Sequence, residues 1–226
     1  MPLKRHHYDF ASHVGNTVQA SELDVYDQYQ VINPAISATH FGSATAGTVS
    51  QVVAVGLGNT RADYPRNVAA IWSGSASVSG TVAITGVNQF GAAQTENLAL
   101  AQGTQTAGTS AGTKVFARVS AATATFGTGV VGSGTVSLGV DIVGTSLLFG
   151  LPSKIAAVTD VKAITWSSTG GISLPINGGT VASTTFVSTT QHAFRGSATL
   201  AGTQAYTVLY RPTYETYELP VDSNLS

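Results

Sequence analysis

Cysteine is absent from this chain, and charge is scarce. Without cysteine there can be no disulfide, no thiolate metal site and no thiol nucleophile. Charged residues make up 9% of the 226 residues, against about 25% in an ordinary soluble domain. The net charge of −1 creates no field of one sign, so neither nucleic acid nor an anionic membrane is expected as a partner. No apolar run approaches the ~18 residues of a membrane-spanning helix. The stretch after Met1, PLKRHHYDF, has no apolar segment. No signal peptide is therefore expected, and synthesis in a cytoplasm is.

What is present is apolar and small. Hydrophobic residues reach 43% and glycine 25 positions, enough to build a packed core where low charge alone would point to disorder. The 21 charges are unevenly spread: residues 1–66 and 211–226 hold 13 of them, and the 144 residues between hold 8. A body so short of ions tends to associate. Either its surface is solubilised by Ser and Thr hydroxyls alone, or other protein covers much of it, and the second reading is preferred.

From about residue 44 the apolar pattern has a period of two. In TVAITGVNQFGAAQTENLAL, Val82 and Ile84 fall on one face and Thr81, Ala83 and Thr85 on the other. VNQFG supplies a turn in which Gly91 can take a positive φ. On the return strand Leu98 and Leu100 oppose Asn97 and Ala99. The same alternation predicts strands at Val49–Val55 and Asn67–Trp72. It sets Val115, Ala117 and Val119 against Phe116 and Arg118. It turns Val136, Leu138 and Val140 inward, and SLLFGLP closes a strand at Gly150 and Pro152. Further strands are predicted at Val161–Trp166, Thr184–Ser188, Gly196–Leu200 and Ala205–Arg211. GTSAG, GTGVVGSG, STGG, INGG and LAGTQ read as turns between them. Short strands at this spacing, with no long helical pattern, predict an all-β fold: an antiparallel β-sandwich, jelly-roll or immunoglobulin-like, with an extended N-terminal arm. The divisions are an arm over 1–43 with at most a short helix capped by Ser21 and ended by Pro34, a sandwich body over 44–210, and a tail over 211–226. The arm reads equally as a frayed terminus. A triple-stranded β fibre would need a regular repeat, and none is found.

No chemical site is legible. His6, His7, His13, His40 and His192 show no metal-ligand spacing. His6 and His7, beside Lys4 and Arg5, form a small basic cluster that could touch an acidic surface, although an ordinary flexible terminus is the preferred explanation. Asp141 and Asp160 have no evident carboxylate partner. Glu215 and Glu218 lie among Tyr210, Tyr214 and Tyr217, where the tyrosines read either as interface anchors or as core. GLGNTR lacks the third glycine of a dinucleotide loop, and GTSAGTK has the wrong spacing for a phosphate loop. No nucleophile elbow is present. Catalytic, cofactor and metal residues are therefore all expected to be none.

The segment Ser77–Pro152 resembles a pattern found in structural proteins of tailed bacteriophage virions. There a strand ending in ITG, a turn with an aromatic and Gly, and TEnLaL follow one another, here as VAITGVNQFGAAQTENLAL. A K-x-F-x-x-V strand comes next (Lys114, Phe116, Val119), then GTVSLGV (Gly134–Val140) and a close at Phe149–Pro152. The resemblance covers about a third of the chain and leaves out both termini. It implies a non-enzymatic capsid decoration, or cement, protein on the virion exterior. Such a protein would bind the major capsid protein and itself, as a homodimer or homotrimer, and bridge capsid subunits against internal pressure. A tail or fibre component binding a host carbohydrate, with Trp72, Trp166 and the tyrosines as its platform, is the alternative. A glycan hydrolase on a β scaffold is a third reading that nothing in the residues requests.

Overall fold

The structure is a computed structural model that describes residues 27–32, 34–46, 51–74, 79–100, 107–127, 134–140, 147–167, 187–195 and 205–213. Among these it is all β, with antiparallel pairing throughout and one short 3-10 turn at Val158–Asp160. The strands in chain order are β1 Asp27–Ile32, β2 Gly42–Ala46, β3 Val52–Ala54, β4 Gly56–Leu57, β5 Arg61–Gly74, β6 Gly80–Val87 and β7 Ala93–Leu100. They continue with β8 Ala107–Phe126, β9 Gly134–Gly139, β10 Leu148–Gly150, β11 Val161–Ser167, β12 Val187–Ser188, β13 Ala193–Arg195 and β14 Ala205–Tyr210.

Three of them, in the order β1-β14-β11, form a small sheet, and the rest form a large sheet that curls on itself. Strand β5 is the hinge of the packing, because both of its faces are covered. Val68, Ala70 and Trp72 turn into the first core, between β5, β9 and β2 on one side and β6, β7 and β8 on the other. Ala69 and Ile71 turn into a second core shared with the small sheet. This second core is aromatic: Phe149 lies 5.7 Å from both Phe194 and Tyr206, centroid to centroid. A strand buried on both sides reads as a continuous run of small and apolar residues, as NVAAIW does.

The predicted hairpin is present. Val82, Ile84, Leu98 and Leu100 are buried, while Thr81, Ala83, Thr85, Asn97 and Ala99 are exposed. Gly91 sits at φ +81 in its loop, and the Asn88 side chain accepts from the amides of Phe90 and Ala92, both at 3.0 Å. Val136, Leu138 and Val140 are fully buried as expected.

Four expectations are corrected. GTSAG is not a turn but the start of the long strand β8. Its Gly108 lets the ring of Trp72 lie flat on the backbone, where an added Cβ would sit 2.2 Å from Trp72 Cζ2. Val115, Ala117 and Val119 do not share a face. Val115 packs with Leu148 and Ala193, whereas Val119 joins Phe116 in the first core. Register shifts between Thr85 and Gly86 on β6, and between Arg61 and Arg66 on β5, break the alternation. Of the strand expected over Val49–Val55, Val52–Ala54 is strand β3, residues 49 and 50 lie outside the described residues, and a separate strand β4 follows at Gly56–Leu57. Within the segment read as an arm, Asp27–Ile32 is a strand with its full length paired to β14, and β2 crosses the expected boundary at residue 43. Strand β13, three residues long, is too short to show a period in the sequence. The turns expected at STGG, INGG and LAGTQ, and the strand expected at Gly196–Leu200, lie outside the described residues.

The chain between β1 and β2 is tied down by β5. Tyr64 Oη donates to the Ile32 carbonyl at 2.9 Å, and Asp63 Oδ2 accepts from the Ala35 amide at 2.6 Å. Arg66, wholly buried, donates to the carbonyls of Ala35 and Val140 at 2.8 and 2.9 Å, with its guanidinium over the Phe149 ring. Its two terminal nitrogens are thus filled, with Asp63 3.6 Å from Nη1, while Nε has no hydrogen-bond partner, and a buried guanidinium needs such partners to be tolerable.

Candidate interaction face

The polar clusters around Glu96, Asp160 and His192 bond to the fold's own backbone. Glu96, the lone charge of the hairpin, pairs in register with buried Ile84 and so turns inward. Between Asn67–Val115 and Ala69–Ala111 the register of β8 against β5 slips, throwing residues 112–114 out of the ladder. The Glu96 carboxylate accepts the amides of Thr113 and Lys114 at 2.6 and 3.3 Å, and the Thr113 hydroxyl at 3.0 Å. Asn67 serves the other side of the bulge, donating to the Gly112 carbonyl at 2.7 Å and accepting from the Leu148 amide at 2.9 Å. One carboxylate and one amide thus restore the hydrogen bonds that the irregular backbone forfeits.

Asp160 is buried and accepts the amides of Ala156 and Ala157 together with the exposed guanidinium of Arg211, at 2.8 Å from its Nη2. Burial alone would raise this carboxyl, but the Ala157 amide and then the Arg211 guanidinium outweigh it and hold the carboxyl below its usual range. His192, at φ +46, closes the β12–β13 turn. Its Nδ1 accepts from the Ile155 amide at 3.2 Å, its carbonyl accepts from Leu151 at 2.7 Å, and its ring meets Phe90 edge-on. Burial, then the nearby Lys154 ammonium, push its imidazole below the ordinary histidine value. Burial also raises the Tyr29 hydroxyl well above its usual range, helped by Tyr64, Tyr210 and Asp63. His40 bonds to the Arg61 carbonyl at 2.8 Å and to Asn59. No group of three His, Cys, Asp or Glu that could hold a metal occurs among the described residues. His6, His7, His13, Asp141, Tyr214, Glu215, Tyr217 and Glu218 lie outside them. Tyr210 is core, Trp72 is core, and Trp166 is paired in β11 with Tyr206 of β14.

What remains is a surface. The outer side of β7-β6-β8-β3 can be read across by register, since directly opposed residues share a face. One row runs Ala99, Thr81, Thr125, Val52; the next Asn97, Ala83, Thr123, Ala54; the third Thr95, Thr85, Ala121. All but Thr123 are exposed, and Val52 is 69% exposed. None of these side chains carries a charge. The ions at its rim are Arg118, opposite Val87, and the Lys114 ammonium, on the Thr95 carbonyl at 2.7 Å. Hydroxyls, one amide and methyl groups meet a protein surface at little cost, because each can be satisfied or simply covered. A buried unpaired ion costs several kcal/mol. Outward Thr and Ala were legible in the sequence, but the assembly of four strands into one uncharged face was not, because β3 and β8 reach β6 only through long-range pairing. No family model, no curated protein and no solved structure matches this chain.

Proposed function

We propose that this chain is a non-enzymatic structural protein that acts by stoichiometric contact with other protein. We further propose that it decorates the outer capsid surface of a phage head, binding the major capsid protein and bridging its subunits. The uncharged face of β7-β6-β8-β3 carries this reading, because four adjacent strands withhold ions from positions that ordinarily take them. The segment that resembles virion structural proteins, Ser77–Pro152, supplies β6, β7 and β8, three of the four strands of that face. The carboxylates of Glu96 and Asp160 add support in a negative sense, since each is taken up by backbone or side-chain partners within the fold.

In a structural role of this kind each copy buries a modest interface, and a repeating lattice multiplies it through effective concentration. The test is an electron-microscopy map of native particles carrying this chain, together with Thr125→Lys, which sets an ammonium on the face between Thr81 and Val52. Density on the outside of the head, and binding to particles weakened at least about tenfold by Thr125→Lys with folding intact, are the expected results. Density on the tail would favour the tail or fibre alternative. A chain that never accompanies particles would overturn both.

A further inference from the structure

Strand β7 ends the large sheet: among the described residues it pairs with β6 alone. The hairpin fixes which backbone groups it leaves open. The Asn88 amide donates to the Ala92 carbonyl at 2.9 Å, so 88/92 sits at a hydrogen-bonded position of the ladder, although the Ala92 amide goes to the Asn88 side chain. By the alternation of an antiparallel ladder the even-numbered residues of β7 sit at hydrogen-bonded positions too. The amides and carbonyls of Ala93, Thr95, Asn97 and Ala99 therefore point away from β6. The Lys114 ammonium agrees with this parity, since it reaches the Thr95 carbonyl from outside the ladder at 2.7 Å. The strand keeps unbroken register over its eight residues and contains no proline or lysine. Edge strands without bulge, proline or lysine invite another strand.

We infer that β7 pairs with β7 of a second copy of this chain, antiparallel about a two-fold axis through Asn97. The inference rests on the reading that the chain works by protein contact, and it names one such contact. Charge selects both the occupant and the register. A partner strand bearing ions would set them beside side chains that carry none, with the Lys114 ammonium at Thr95 as the one ion at hand, whereas this chain's own edge matches it with Ala, Thr and Asn. Centring the axis on Glu96 would oppose two carboxylates. Centring it on Asn97 places Glu96 opposite Leu98 of the second copy. The carboxylate meanwhile stays turned inward on the Thr113 and Lys114 amides. Thr95 then faces Ala99 of the second copy, Asn97 faces Asn97, and about six backbone hydrogen bonds form. The Lys114 ammonium shares or yields the Thr95 carbonyl, which has a second lone pair. The product is a single uncharged face eight strands wide.

The test is sedimentation of the purified chain over a concentration series without particles, using wild type, Asn97→Lys, Asn97→Glu and an equimolar mixture of the two variants. Wild type should dimerise. Each variant alone should dissociate about fivefold more readily or worse, because like charges meet across the axis. The mixture should dimerise again, because Lys then faces Glu. Lys114→Ala should leave the dimer equal or tighter. Thr125→Lys, far from the axis, should leave it unchanged while losing particle binding. A wild-type monomer, a dimer indifferent to charge at 97, or a mixture that stays monomeric would overturn the inference. Particle binding lost by Thr125→Lys would in that event still uphold the contact reading.

Discussion

Glu96 and Asp160 show what a charge is for in a chain with so few. Each is a hydrogen-bond acceptor for backbone that secondary structure leaves unpaired, Glu96 at the β8 bulge and Asp160 at the turn before β11. Their use makes stability depend on pH in a direction that can be worked out. A carboxyl held below its ordinary value binds a proton less readily folded than unfolded. Asp160 therefore contributes fully above 3.8 and its contribution is lost as pH falls toward the lower folded value. The His192 imidazole, also lowered, must gain its proton at a cost in the folded state. A proton on Nδ1 would also displace the Ile155 amide. Stability should thus decline as pH drops below 6.5. Urea midpoints measured from pH 7.5 to 3 should fall in two stages, the upper one flattened in His192→Asn and the lower one in Asp160→Asn. Asparagine is the better replacement at 192 because it tolerates the left-handed backbone there. A wild-type midpoint independent of pH between 7 and 5 would remove His192 from the account.

At the scale of the element, β1 decides where the body begins. Composition places its residues in an arm, because DQYQVI is short, polar and followed by Pro34. Its partner β14 lies 173 or more positions away, and no local signal announces such a pairing. Removing residues 1–26 should leave the fold intact. Removing residues 1–40 should not, since it strips β1 from β14 and takes away the Ile32 and Ala35 groups that bind Tyr64, Asp63 and Arg66. Losing the Ala35 carbonyl from the buried guanidinium alone costs about 1.5–3 kcal/mol, with Val140 and Asp63 still in place. Thermal melts of the two truncations check this, and equal melting temperatures would show the clamp to be idle. The long strand β8 makes the opposite point. Its glycines read as a turn in sequence, yet Gly108 is there because Trp72 needs a flat floor.

For the whole molecule, scarcity of charge sets how it would associate under the proposed function. Contacts built from hydroxyls, amides and backbone edges hold no screened ion pairs, so salt has little to act on. Self-association and particle binding should therefore survive between about 0.05 and 0.5 M salt with less than a twofold change in affinity. A steep loss over that range would point instead to the charged segments at 1–26 and 214–226.

The sequence by itself determined the class of fold, the central hairpin with its Gly91 turn, and the inward set Val82, Ile84, Leu98, Leu100, Val136 and Leu138. Those follow from period two and turn chemistry, which act between neighbours along the chain. Only the tertiary structure decided that β5 is buried on both faces, that Glu96 points inward, and that β3, β8, β6 and β7 meet as one uncharged surface. Each of these depends on which distant strand lies alongside, and on a slip in register that moves a side chain from one face to the other. A slip of that kind leaves no mark in local composition.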